Sequence, residues 1–217
     1  MSVPALGSGQ AVRQLTLDQP IGGSNPPSPA DRLVVELAVS VPDHVRPTIL
    51  GASAVLCGLI WAAHGWVTSM SPAYYSATST LDYVAVALHT AGLVTVALCL
   101  WQVRVIPGAL VMVGGAAATL GLGAAGVANF AEDWIHLEAF GWLYVAAYVG
   151  GTLALIPLAA GLARSARTRW LAMATVATFV GLLLVSQWYG GALLSAAWLA
   201  TGAARMTGRS ARQELAP

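Results

Sequence analysis

The sequence predicts an all-α fold, a polytopic bundle of six transmembrane helices, and three observations lead there. Only 9% of the 217 residues are charged and 57% are hydrophobic, whereas soluble domains carry about 25% charged residues. Apolar runs near the ~20 residues that cross a bilayer recur along the chain. The ten basic residues are all arginines, confined to tails and short turns, and six crossings bring every one of them to a single face. Cytoplasmic loops are enriched in basic residues, so that face, with both termini, is expected on the cytoplasmic side.

Residues 1–45 read as a cytoplasmic tail, largely irregular. Gly22, Gly23, Pro26, Pro27 and Pro29 punctuate it, and no basic segment runs into an apolar one as in a signal peptide. The transmembrane domain is expected over residues 46–205. Span 1 covers 47–70 and opens on Pro47, whose missing N–H is harmless at a first helical position. A polar loop follows, with Tyr74 and Tyr75 suited to the interface. Span 2 covers 81–102, and Ser79-x-x-Asp82 has the form of a capping box at its start. Arg104 marks a short turn before span 3, over 107–128. Span 4 covers 138–163, and Pro157 should interrupt it by removing a backbone hydrogen bond.

The last apolar stretch, 170–204, would be about 52 Å long as one helix, against a hydrocarbon core of about 30 Å. A break at Tyr189-Gly190-Gly191 gives spans over 170–188 and 190–204. It also returns Arg205, Arg209 and Arg212 to the side of Arg104 and Arg164. Residues 206–217 form a cytoplasmic tail. Trp101 and Trp170 then mark one interface, and Trp66, Tyr83, Trp134, Trp142, Trp188 and Tyr189 the other.

Gly114, Ala118, Gly121 and Ala125 in span 3, with Ala147 and Gly151 in span 4, recur at helical spacing and permit close helix approach. Cys57 sits near the middle of span 1 and Cys99 near the arginine end of span 2. This difference in depth argues against a disulfide.

The same threading gathers His64, His89, Glu132, Asp133, His136 and Glu138 towards the face opposite the arginines. Counted from that boundary, His64 lies about 9 Å deep and His89 about 12 Å deep on antiparallel helices, so the two imidazoles can meet. Ionisable groups at such depths usually face a bundle interior or a wet cavity. Buried imidazoles are often satisfied by a neighbouring carbonyl and do nothing more. Asp82, Asp133 and Glu138 lie near expected helix amino termini, where capping alone accounts for them.

Three chemistries use such a cluster. A binding, transport or accessory-subunit role is the leading reading, with histidine suited to proton-linked work. Zinc held by His64, His89 and His136, with Glu132 or Asp133 as general base, would make a membrane hydrolase. His64 and His89 as axial ligands would hold a b-type haem. No phosphate loop, nucleophile elbow or His-Glu-x-x-His sequence is present. No basic stripe interleaved with aromatics suggests nucleic acid. The expected partners are the lipid bilayer and a larger membrane complex or a second copy of the chain. An Ala-, Gly- and Arg-rich composition without lysine points to a high-GC bacterial source, and the expected location is the inner membrane.

Overall fold

The computed structural model describes residues 45–70, 79–104, 106–166, 168–185 and 188–213. Tyr74, Tyr75, Gln187 and residues 1–44 lie outside them. The described chain is helical throughout: α1 (Val45–Met70), α2 (Thr80–Val103), α3 (Ala109–Asp133), α4 (Phe140–Leu153), α5 (Leu155–Ala163), α6 (Arg169–Leu183) and α7 (Trp188–Gln213). Helices α4 and α5 are one rod interrupted at Ala154. Pro157 supplies the cause, because it has no N–H for the carbonyl one turn earlier. Six rods therefore stand where six spans are expected. Four of them, Ile49–Met70, Thr80–Val103, Ala109–Asp133 and Phe140–Ala163, are long and apolar enough to cross a membrane, while Arg169–Leu183 is apolar but shorter.

Each rod packs on its neighbour in sequence, and α1 returns to α7, which closes a ring. Buried residues run along the inner faces, with Trp61, Leu93, Leu100, Leu122, Leu158, Leu182, Leu194 and Trp198 nearly inaccessible. The outer faces carry large apolar side chains instead. Leu59, Leu120, Met173 and Leu183 are 55–70% exposed. Such a surface suits hydrocarbon and not water. The chain is thus a membrane-class helical bundle.

The start of α2 follows the expected chemistry. The Ser79 hydroxyl accepts from the Asp82 N–H at 3.2 Å, and the Asp82 carboxylate accepts from the Ser79 N–H at 2.8 Å. This reciprocal capping box satisfies two N–H groups that have no intrahelical partner, which explains a carboxylate buried to 4% exposure.

Three boundaries differ from expectation. Helix α3 continues through Asp133, so Glu132 and Asp133 are on a helix and not in a loop. Helix α7 continues to Gln213, so the final arginines extend a helix. The last break falls at Leu184 and Val185, before Tyr189-Gly190-Gly191. The two glycines sit in the first turn of α7, and packing requires them there. Gly190 lies against the Leu184 carbonyl, and a Cβ on Gly191 would come within 2.9 Å of the Gly65 Cα.

The α1–α7 contact continues in this manner. A Cβ on Gly58 would stand 2.6 Å from Leu199, and one on Gly202 would stand 2.9 Å from the Gly51 carbonyl. The α3–α4 contact is closer still, with a Gly121 Cβ only 2.5 Å from the Gly151 Cα. The small residues expected to permit close approach are used within one chain.

Gln102 donates to Ser53 at 3.2 Å and so fixes the register of α1 against α2. In that register Cys57 falls opposite Cys99, and their side chains interact, although both remain free thiols. Their expected difference in depth is corrected. Helix α1 starts well before the level at which α2 ends, so a residue near its middle meets one near the end of its partner.

Gly121→Ala should force the α3 and α4 backbones apart at a cost of about 1–3 kcal/mol. Gly150, with nothing within 4 Å of a built Cβ, should tolerate alanine and gain about 0.4–1 kcal/mol. Thermal unfolding of the two variants in detergent checks the opposite signs.

Candidate functional site

The site forms at the end of the bundle remote from Arg104, Arg164, Arg169 and Arg205. Its floor is aromatic. Trp61 and His64 are three residues apart on one face of α1, and His89 faces them from α2. The imidazole centroids are 5.4 Å apart. The Trp61 indole meets His64 edge-on at 5.2 Å and His89 at 5.7 Å. All three are at most 1% exposed. Gly92 makes this possible, because a Cβ there would fall 2.7 Å from the indole.

Tyr144 and Tyr148, one turn apart on α4, complete the floor. The His89 Nε2 and the Tyr144 hydroxyl lie 3.2 Å apart in a hydrogen bond. Tyr148 donates to the Leu182 carbonyl at 2.6 Å, beside the end of α6. That carbonyl belongs to the last turn, where it also accepts from the Val185 N–H at 3.3 Å. Asn129 donates to the Thr90 hydroxyl at 3.0 Å and ties α3 to α2 at the same level.

Above the floor opens a cavity of about 550 Å³, lined by Val86, His89, Asn129, Glu132, Asp133, Glu138, Gly141, Trp142, Tyr144, Val145 and Val185. Glu132 and Asp133 reach it from the last turn of α3, and Glu138 from the turn before α4. The Glu132 carboxylate lies against Gly141, where a Cβ would stand 2.5 Å from its Oε1. Gly141 is in the first turn of α4, where the helix dipole favours a negative charge.

His64 and His89 therefore meet as expected, and Glu132, Asp133 and Glu138 share one cavity with His89. His136 lies within electrostatic reach of Asp133 but lines neither the cavity nor the imidazole pair. It is exposed on the loop after α3, with φ 57°, a left-handed conformation rare outside glycine. The neighbouring Leu137 N–H closes onto the Ala131 carbonyl at 3.0 Å. Among the described residues no three His, Cys, Asp or Glu side chains are grouped to hold a metal ion, so the triad of His64, His89 and His136 is not assembled.

Nor do the residues suit a haem. Two axial imidazoles must each point a nitrogen at one iron across a slot that admits the macrocycle. Here Trp61 packs against both rings, and the cavity reaches His89 without being lined by His64.

Trp61, Tyr144 and Tyr148 belong to the site and were not singled out by sequence. The signal was present for two of them: tyrosines four apart inside an apolar span place two hydroxyls on one face at imidazole depth. No family model, curated protein or solved structure matches the chain. Its class, a membrane helical bundle with a polar cavity at one end, rests on its own residues.

A histidine-modifying reagent should acylate His136 quickly and leave His64 and His89 protected, as read by peptide-resolved mass spectrometry of the protein in detergent. Equal modification of the three would contradict the burial described. Tyr144→Phe should remove one hydrogen bond and lower stability by about 0.5–1.5 kcal/mol, measured by thermal unfolding.

Proposed function

We propose that this chain is a small multi-pass protein of a bacterial inner membrane, with both termini cytoplasmic. On this reading its outward cavity binds a small polar ligand for transport, sensing or service as an accessory subunit. The observation that carries the reading is the convergence of Glu132, Asp133, Glu138, Asn129, His89 and Tyr144 on one cavity. Three carboxylates beside an apolar wall favour a ligand that carries positive charge or presents hydrogen-bond donors. Trp142 and Tyr144 add aromatic surface, which attracts cations.

Electrostatics supports the same class. Every described carboxylate lies at the histidine end, and the described arginines lie at the other. A low-dielectric wall around like charges focuses their field and raises the local concentration of counter-ions. Zinc hydrolase and haem electron-transfer readings lack comparable support, because His136 is not grouped with the imidazole pair and the cavity is lined by His89 without His64.

Thermal unfolding of the purified protein against small primary amines, monovalent cations and neutral polar solutes tests the proposal. A binding amine should raise the midpoint by about 2–4 °C for each kcal/mol of binding free energy. Glu132→Gln with Asp133→Asn should abolish the shift. Stabilisation by neutral solutes alone, or a shift unchanged in the double variant, would count against a cation site. A Soret band, or stoichiometric zinc lost on His89→Ala, would overturn the reading.

A further inference from the structure

A second cavity lies on the outside of the bundle. A groove of about 640 Å³ runs between α5 and α6 and shares no lining residue with the polar cavity. Its floor is built from Ala160, Ala163, Ala172 and Ala177, whose short side chains leave a furrow between two helices that otherwise present large residues to lipid. One charged residue lines it, Arg169, at the amino terminus of α6. The opposite limit on α6 is Val180.

We infer that this groove seats one acyl chain of an anionic membrane phospholipid, with the headgroup phosphate held at Arg169. Three observations select that occupant. The first is length: eleven residues separate Arg169 from Val180, a rise of about 16 Å. Half of a ~30 Å hydrocarbon core is about 15 Å, so the furrow is one leaflet deep. A partner helix would need a track across both leaflets.

The second is the placement of charge. Arg169 is exposed at the mouth, and Arg164 stands on the same turn. The third is that no competitor stands among the described residues. The described carboxylates, Asp82, Glu132, Asp133 and Glu138, all lie at the far end of the bundle, so no described acid neutralises Arg169. A guanidinium matches phosphate geometry with paired donors, and juxtamembrane arginines attract anionic lipid.

The test uses the full chain in nonionic detergent, supplied with phosphatidylglycerol or phosphatidylcholine of identical acyl chains. Native mass spectrometry should show phosphatidylglycerol retained in preference to phosphatidylcholine. Thermal unfolding should show a midpoint higher by about 2–6 °C with phosphatidylglycerol. Arg169→Gln should remove the preference, and Ala177→Trp, which fills the furrow, should remove retention of both lipids. Equal retention of the two lipids by the parent protein, or a preference that survives Arg169→Gln, overturns the assignment. So does efficient disulfide cross-linking of Met173→Cys between two copies in lipid, which would make a second chain the occupant.

Discussion

The ring closes because the first and last helices meet backbone to backbone. A Cβ on Gly58 of α1 would stand 2.6 Å from Leu199, and Cβ atoms on Gly202 and Gly191 of α7 would stand 2.9 Å from the Gly51 carbonyl and 2.9 Å from the Gly65 Cα. In hydrocarbon there is no hydrophobic drive to bring helices together, so association rests on close van der Waals contact and interhelical hydrogen bonds. This seam gives the contact its closeness. It also sets the height of Trp61 and His64, since the Trp61 carbonyl and Gly65 both lie against Gly191. A second small residue, Gly92, admits the Trp61 indole to α2. The buried imidazole pair is the product of these two approaches.

Polar groups within the bundle are largely absorbed by the helices themselves. The hydroxyls of Thr95, Thr175, Thr178 and Thr201 each donate to a carbonyl one turn earlier, at 2.8 Å. A threonine bonded in this way satisfies its polarity locally and leaves little for a ligand. The carboxylates that face the cavity are of another kind. They come from helix ends and from the turn before α4, where backbone partners run out and carboxylates can stay near water. The arginine end is arranged differently: the Arg104 guanidinium lies 3.0 Å from the centroid of the Trp101 ring, and that of Arg205 lies 5.0 Å from Trp170. Aromatic faces there accept positive charge at the depth where interfacial tryptophan settles.

Much of this was legible in the sequence where one cause acts alone. Low charge and apolar runs lead to helices in a bilayer, Ser79 and Asp82 lead to a capped start, and Pro157 leads to an interrupted rod. The reading failed where two causes compete for one residue. Gly190 and Gly191 look like a helix break, but the close approach of α1 and α6 claims them, and the chain turns earlier. Cys57 and Cys99 looked unequal in depth because register depends on where a helix begins, and Gln102 with Ser53 sets that register across the interface. The meeting of His64 with His89 followed from rise per residue. The exclusion of His136 did not, because a left-handed turn after α3 has no glycine or asparagine to announce it. Trp61 and the two tyrosines were hidden among aromatics that serve equally as core or interfacial anchors.

The glycine seam also bears on how such a chain diverges through descent. Outward leucines, valines and methionines touch only lipid tails, which accept any apolar shape, so those positions are free to exchange. The residues that hold the architecture are side-chain-free and sparse, spaced by whole turns, and individually commonplace. Two lineages can thus keep an identical ring while sharing little beyond a rhythm of small residues, and kinship would be easier to recognise in superposed backbones than in aligned letters.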